Sequence, residues 1–230
     1  MSANHRKRLS MPRSWALPRK TSVWIAKQDP GGHSDEFSMP LTVILRDVLG
    51  FAQSRREVKR LLASRKVLVD GRVATSPNRG VGLMDVLTVG DDNFRCVLDK
   101  NGKLRFPAID AKSAGTKVCR IDGKTTIKNG VTQYNLHDGR NILIDDAKKY
   151  NTGDSLVIAV PGQDIKAHHA FDEGANAVLI GGNHVGSIAA ITGKIEKRSS
   201  MPNEVTFEGF GTVERNVFVI GDFALPEVEV

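Results

Sequence analysis

Cysteine is scarce in this sequence, and its two copies lie far apart. With only 2 cysteines in 230 residues, Cys96 and Cys119, neither a C-x-x-C metal knuckle nor a disulfide framework is expected. Both lie in strand-like surroundings, which predicts buried free thiols in the reducing cytoplasm. No apolar run is long enough to span a bilayer, and the N-terminus lacks the apolar segment of a signal peptide. We therefore expect no membrane-spanning segment, and we predict no membrane partner.

Motifs of common enzyme sites are also missing. There is no Ser-centred elbow, no HExxH and no P-loop, and only a poor dinucleotide fingerprint. We therefore predict that the protein is not an enzyme and has no cofactor, no metal, no small-molecule substrate and no catalytic residue.

Two histidine-containing segments still invite a chemical interpretation. The segment His137–Asn141 (H-D-G-R-N) gathers His, Asp and Arg, but its Asp-Gly pair is typical of a turn, and we favour the turn over a catalytic role. His168 and His169 are adjacent, so on a strand they point to opposite faces, and no carboxylate or thiol has metal-ligand spacing. We expect a surface pair.

Positive charge is abundant. The formal net charge is +7 and the pI is about 9.5, which favours an anionic partner, nucleic acid first and an acidic membrane surface second. A merely soluble basic protein is the alternative that charge alone leaves open.

Residues 1–36 are basic and interrupted by prolines. The cations that precede the first acidic residue are His5, Arg6, Lys7, Arg8, Arg13, Arg19, Lys20 and Lys27. Trp15 and Trp24, the only tryptophans, lie among them. This composition favours an extended arm along nucleic acid, with phosphate contacts from cations and stacking from Trp, which orders only on RNA. The alternative is that the arm packs its tryptophans on the globular body.

Two helices and a hairpin follow the arm. Ser38–Gly50 has one apolar stripe, with Ser38 as the predicted cap. Ser54 and Glu57 have capping-box spacing, and Val58, Leu61 and Leu62 share one face of the second helix. The hairpin turns at Asp70-Gly71. The predicted phosphate contacts on the second helix and hairpin are Arg55, Arg56, Lys59, Arg60, Arg65, Lys66 and Arg72.

The rest of the chain is rich in short strands. Regular strand-length runs up to residue 173, separated by turns such as Asp122-Gly123 and Asn129-Gly130, predict a small barrel or sandwich. From Gly174 onwards, two apolar strands flank the loop Gly181–Gly186. This loop resembles a KOW motif, the strand-loop-strand unit of an SH3-like barrel; it lacks the Lys-Ser/Thr of a phosphate-binding loop.

The order of these motifs resembles one family. Two helices followed by R-K-V-L-V-D-G-R-V resemble the S4-type RNA-binding module, and the upstream H-R-K-R-L and P-G-G-H-S with the downstream V-G-L-M-D-V-L narrow the likeness. From His5 to about Gly221 the chain looks like the archaeal and eukaryotic small-subunit ribosomal protein family S4e. This resemblance implies a structural protein that binds small-subunit ribosomal RNA beside neighbouring ribosomal proteins, located in the cytoplasm in the ribosome, without catalysis.

We therefore predict an α+β, multi-domain chain. The expected segments are an extended basic N-terminal arm (1–36), an S4-type RNA-binding module (37–98), a central β-rich domain (99–173) and a KOW-like SH3-type barrel (174–230). Two alternatives are an RNA-modifying enzyme with an appended RNA-binding module and a ribosome-associated RNA chaperone. The catalytic Asp of pseudouridine synthases lies in a Gly-Arg-Leu-Asp context, and this sequence has none.

Overall fold

The computed structural model describes residues 5–145 and 149–226. These residues form two compact units, one of 5–97, 103–115 and 226, the other of 98–102 and 116–225. Parts of three predicted segments lie outside the described residues: 1–4 of the arm, 146–148 of the central domain and 227–230 of the barrel. The four-part division of the chain stays a prediction.

The first unit is built from short strands and three short helices. Its elements are β1 (Arg6–Lys7), β2 (Trp24–Ile25), β3 (Ser38–Pro40), α1 (Leu41–Val43), α2 (Arg55–Ala63), β4 (Val67–Val69), β5 (Arg72–Val73), β6 (Gly80–Gly82), β7 (Val86–Val89), β8 (Asp92–Arg95), β9 (Val97–Leu98, which leaves the unit at its second residue), β10 (Leu104–Arg105) and α3 (Ala111–Ala114). Strands β5-β4-β7-β8 form a four-stranded antiparallel sheet, and β1-β2 and β3-β6 form two antiparallel pairs.

The first predicted helix starts later than its sequence indicates. Ser38 lies in β3, where its hydroxyl oxygen is 2.6 Å from the carbonyl oxygen of Ser34 and 2.9 Å from Gln28 Oε1, two acceptors for its one proton, so the prediction that it caps the helix is wrong. The helix begins at Leu41 and continues as a π-type helix over Ile44–Val48. Because Ser38 and Pro40 pair with β6, sheet pairing has replaced the first helical turn.

The second unit consists of two five-stranded antiparallel sheets. The first has the order β13-β12-β11-β14-β15 and the second the order β19-β18-β17-β16-β20. Their strands are β11 (Thr116–Thr126), β12 (Thr132–Leu136), β13 (Asn141–Ile144), β14 (Ser155–Ala159), β15 (Ile165–His169), β16 (Asn176–Leu179), β17 (Ile188–Ile195), β18 (Glu204–Phe207), β19 (Phe210–Val213) and β20 (Val217–Val219).

One predicted turn is absent from the first of these sheets. The chain does not reverse at Asp122-Gly123; β11 continues through it, with a shift in its register against β12 between Ile121 and Gly123. The bulge lets one long strand pair with β14 through its first half and with β12 through its second. Asp122-Gly123 therefore lies at a β-bulge and not at a turn.

Each sheet of the second unit has its own apolar core. Cys119, Tyr134 and Leu156 are fully buried in the first, and Leu179, Val205 and Val219 are fully buried in the second. Both cysteines are buried thiols, as predicted. No helix in the described part of the chain has the length and apolar composition needed to cross a membrane.

Candidate nucleic-acid interface

Helix α2 begins with the side-chain cap that its sequence predicts. The Glu57 backbone N–H donates to Ser54 Oγ at 3.3 Å, and the Gln53 N–H donates to Glu57 Oε2 at 2.8 Å. The Ser54 hydroxyl also donates to Glu57 Oε1 at 2.9 Å. The bond from the Gln53 N–H, and then this bond from the Ser54 hydroxyl, lower the pKa of Glu57. The cap thus fixes both the start of α2 and the rotation of its faces.

The two faces of α2 differ sharply in exposure. Val58 is fully buried and Leu62 is 3% exposed. The residues of the outer face are all exposed: Arg55, Arg56, Lys59 and Arg60. Burial of the apolar face therefore holds four cations in solvent on a short rigid segment.

After α2 the chain turns back in a hairpin that carries three further cations. Arg65 ends α2 with a left-handed backbone (φ 58°), a conformation usually given to glycine, and its N–H donates to the carbonyl of Leu62 at 3.0 Å. Asp70 and Gly71 both have positive φ, which confirms the predicted hairpin turn between β4 and β5. The hairpin cations Arg65, Lys66 and Arg72 are exposed.

Two predicted RNA contacts in the arm are instead buried in the first unit. Trp15 is 1% exposed, and its Nε1 donates to the carbonyl of Ser38 at 2.8 Å. Arg8 is 8% exposed and its Nε donates to the carbonyl of Pro18 at 2.7 Å. Trp15 thus follows the packing alternative, since its ring lies in the core, and Arg8 ties the arm to itself.

The remaining predicted arm residues are at least partly accessible. Trp24 is 52% exposed and meets the His5 ring edge-on with 4.7 Å between centroids. Among the cations, Lys7, Arg13 and Lys20 are exposed, whereas Arg6, Arg19 and Lys27 are half-buried. Arg6 forms an ion pair with Asp35, and Arg19 Nη1 donates to the carbonyl of Leu9 at 3.1 Å.

Sequence reasoning missed the residues that anchor the arm. His33 Nε2 lies 3.0 Å from Asp85 Oδ1, and both side chains are under 10% exposed. The other carboxylate oxygen of Asp85 accepts from the Gly82 N–H at 2.7 Å, and the Asp29 N–H donates to the carbonyl of Asn78 at 2.9 Å. His33 and Asp85 are 52 residues apart in sequence, so no local pattern identifies this pair.

The H-D-G-R-N segment is a turn, as predicted, and its carboxylate is buried. Asp138 lies 2.7 Å from Lys117 Nζ, with side chains 2% and 1% exposed, and 3.2 Å from Arg140 Nε. Burial raises the pKa of Asp138, but the charge of Lys117, then that of His137, and hydrogen bonds outweigh it, and the pKa is lowered to about 2. A carboxylate held ionised in this way stabilises the turn and cannot act as a proton donor near neutral pH.

The second histidine-containing segment lies on β15. His168 Nε2 is 2.8 Å from Asp154 Oδ2, and the second oxygen of this carboxylate accepts from the Phe171 N–H at 2.9 Å. Asp154 thus ties β15 and Phe171, two residues beyond it, to the start of β14, which is a structural role of the histidine that sequence reasoning did not identify.

A capped helix and an Asp-Gly hairpin with cations on their solvent side define an RNA-binding module of the S4 type. Two family models match the chain: the S4 domain over residues 39–87 and "Ribosomal family S4e" over residues 90–165.

Curated relatives and a solved structure agree with these models. The small ribosomal subunit protein eS4 of Methanocaldococcus jannaschii is 43% identical over 232 residues, covering 95% of this chain and 94% of the relative. That of Methanothermobacter thermautotrophicus is 41% identical, covering 96% and 93%. The crystal structure of the 30S ribosomal protein S4e from Thermoplasma acidophilum is similar with a TM-score of 0.72 and 32% identity, covering 81% of this chain and 96% of that chain. The chain belongs to the ribosomal S4e family.

Proposed function

We propose that this chain is a structural constituent of the small ribosomal subunit that binds ribosomal RNA without catalysis. The observation that carries the proposal is the exposure of every predicted cation on α2 and the hairpin above a buried apolar face. Relatives about 40% identical over nearly the whole chain are named small ribosomal subunit proteins, so the protein works in the ribosome, in the cytoplasm, beside other ribosomal proteins.

The proposed RNA interface is α2 together with the hairpin. Arginine and lysine side chains contact phosphates and displace condensed counterions, so each contact contributes a salt-dependent part of the affinity. Arg55 Nη2 also lies 3.3 Å from Asn78 Oδ1, a weak contact that leaves the guanidinium exposed. The interface extends to the accessible arm cations, Arg6, Lys7, Arg13, Arg19, Lys20 and Lys27, and to Trp24 as the stacking ring. Trp15 and Arg8 are left out because both are buried.

The finer division of the chain belongs to the same proposal. The second sheet of the second unit has five antiparallel strands and a glycine-containing loop between β16 and β17, which supports a KOW-like SH3-type barrel over 174–230. The arm over 1–36 is proposed to follow RNA from the module outward. The burial of Trp15 and Arg8 favours an arm that is ordered before RNA binds, and limited proteolysis of the free protein tests this against the expectation that the arm orders only on RNA.

The two alternatives are weaker. An RNA-modifying enzyme would use a catalytic carboxylate, but the family is one of structural ribosomal proteins, and Asp138 is committed to a buried ion pair. An RNA chaperone would share the cationic module, but unlike a structural constituent it would dissociate readily from the subunit.

Retention on the small subunit distinguishes these functions. Small subunits carrying the tagged protein are washed at high salt and sedimented, and the retained fraction is measured. A structural constituent stays with the subunit, because contacts from several segments must break together, whereas release of the protein at moderate salt would support the chaperone and contradict the proposal. Wild type is compared with a variant in which the exposed Lys100, Lys112, Lys128 and Lys166 are replaced by Ala, to show that net charge alone does not retain the protein.

A further inference from the structure

A stack of three rings connects the core of the second β-sheet of the second unit to its surface. Phe207 is 4% exposed, and its ring stacks on Phe210 with 5.1 Å between centroids and 15° between planes. Phe210 in turn stacks on His184 at 4.2 Å and 21°. The terminal imidazole is exposed, so the stack ends in a ring that Phe210 covers on one face and that is accessible to solvent elsewhere.

A cleft of about 480 Å³ lies beside this imidazole. We call it the His184 cleft; it is lined by Gly181–His184, Glu204 and Gly211–Val213. Its volume falls in the range of about 300–1,000 Å³ that is usual for small-ligand sites. Phe210 covers one face of the imidazole but does not line the cleft, so His184 faces the cleft with its other face or an edge.

Glycines keep this cleft open. A Cβ on Gly181 would lie 2.8 Å from Asn216 Oδ1, and a Cβ on Gly182, whose φ is +85°, would lie 3.6 Å from Thr212 Oγ1. At Gly181 the backbone lies too close to its neighbour for a side chain, and at Gly182 the positive φ disfavours one. These positions therefore leave no side chain beside the cleft, which suits a flat ligand that lies against a ring.

Two polar side chains of the cleft, Glu204 and Thr212, offer hydrogen-bond acceptors, and Asn183 also lines it. Glu204 contributes a carboxylate that also pairs with Lys197, and Thr212 contributes a hydroxyl. A carboxylate accepts two parallel N–H groups, and among the RNA bases guanine offers such a pair on its Watson–Crick edge, whereas uracil offers one N–H between two carbonyl oxygens.

We propose that the His184 cleft binds one unpaired guanine of RNA, stacked on the imidazole with its N–H edge toward Glu204. The inference rests on the proposed RNA-binding function and names a contact outside α2. Unpaired bases stack on aromatic and histidine rings in single-stranded RNA recognition. A proline-rich peptide is the other ligand of SH3-like surfaces, but peptide grooves are lined by several aromatic rings, and the described lining of this cleft has only the imidazole.

The binding of GMP to the full chain, followed by aromatic NMR of the histidine ring signals, tests the site directly. The His184 signal is assigned by its disappearance in His184→Ala. We expect GMP to move this signal upfield, as stacking on a purine requires, and UMP to move it much less. An unmoved signal, or equal shifts with both nucleotides, overturns the guanine site. A PxxP decapeptide that moves the signal where GMP does not would replace RNA with a peptide ligand.

Affinity for short RNAs tests the roles of the two side chains. For the heptaribonucleotide UUUGUUU, His184→Ala should weaken binding about five- to tenfold, while His184→Phe should restore it because the ring is kept. Glu204→Gln should remove most of an about fivefold preference over heptauridylate. The control Ile188→Ala changes an exposed residue of the same sheet outside the cleft and should bind as wild type does. Equal loss in His184→Phe and His184→Ala, or a preference unchanged in Glu204→Gln, contradicts the assignment.

The guanine site in the His184 cleft and RNA binding by α2 can be refuted independently of each other. In the variant with Arg55, Arg56, Lys59 and Arg60 replaced by Ala, GMP should still move the His184 signal, because the cleft contains none of these residues. If that variant keeps full affinity for ribosomal RNA, the α2 interface is wrong and the cleft stands. If the cleft does not respond while α2 governs affinity, only the guanine site is wrong.

Discussion

The sharpest prediction concerns the cationic face of α2. We expect the combined replacement of Arg55, Arg56, Lys59 and Arg60 by Ala to weaken binding to small-subunit ribosomal RNA and to flatten its salt dependence. All four side chains are exposed, and Ala is the best helix former at such positions. The buried contacts of Val58 and Leu62 are unchanged, so the variant should keep the wild-type fold and thermal midpoint.

The expected magnitude follows from counterion release. Each neutralised phosphate contributes about 0.7 to 0.9 to the slope of log K against log salt, so four contacts contribute about 2.8 to 3.6. Between 50 and 200 mM salt, the wild type should therefore lose about 50- to 150-fold more affinity than the variant does. The formal net charge of the variant falls from +7 to +3.

The control must lose the same charge elsewhere. Replacement of Lys100, Lys112, Lys128 and Lys166 by Ala also removes four exposed cations. Filter binding to transcribed small-subunit ribosomal RNA, in a salt series, gives both slopes. We expect the control slope to stay close to that of the wild type. A variant slope equal to that of the wild type, or equal slopes in variant and control, would refute the assignment of phosphate contacts to α2.

Three further predictions follow from buried or strained positions. Trp15→Ala should destabilise the protein by about 3–5 kcal/mol in chemical denaturation, whereas Trp24→Ala should leave stability nearly unchanged and weaken RNA binding; equal effects would contradict the assigned environments. The pKa of Asp138 is lowered to about 2, so its ionised carboxylate stabilises the folded protein by about 2 kcal/mol above the unfolded-state pKa near 4, and this stabilisation is lost as the pH falls to about 2. Asp138→Asn should be less stable than the wild type at neutral pH and should lose less stability than the wild type between about pH 4 and about pH 2. Gly186→Ala would place a Cβ 2.2 Å from the Asp99 carbonyl oxygen at φ +77° and should lower the thermal midpoint by several degrees, and an unchanged midpoint would show that this loop can move.

The features that could be predicted from the sequence depend on neighbours along the chain. The α2 cap needs only Ser54 and Glu57, three residues apart, and the hairpin turn needs only Asp70 and Gly71. The separation of cations from apolar residues on α2 follows from helical periodicity alone. All seven cations that the sequence places on α2 and the hairpin are exposed.

The failed predictions share a different cause. Ser38 and the Asp122-Gly123 pair have the local signals of a cap and of a turn, but strand pairing overrode both. Trp15 and Arg8 have the composition of a nucleic-acid-binding arm, and only their distant partners show that they are buried.

The sequence by itself determined the charge of this protein, the cap and polarity of α2, the hairpin turn and the family. Tertiary structure alone decided which residues of the basic arm are accessible, that the carboxylate of the H-D-G-R-N turn is buried, and that the His184 ring lies on a stack of rings beside a cleft. The physical reason is separation in sequence. Contacts such as that of the Leu104 N–H with the Ser14 carbonyl, at 2.7 Å, form only after the chain has folded back on itself, and local patterns carry no information about such partners.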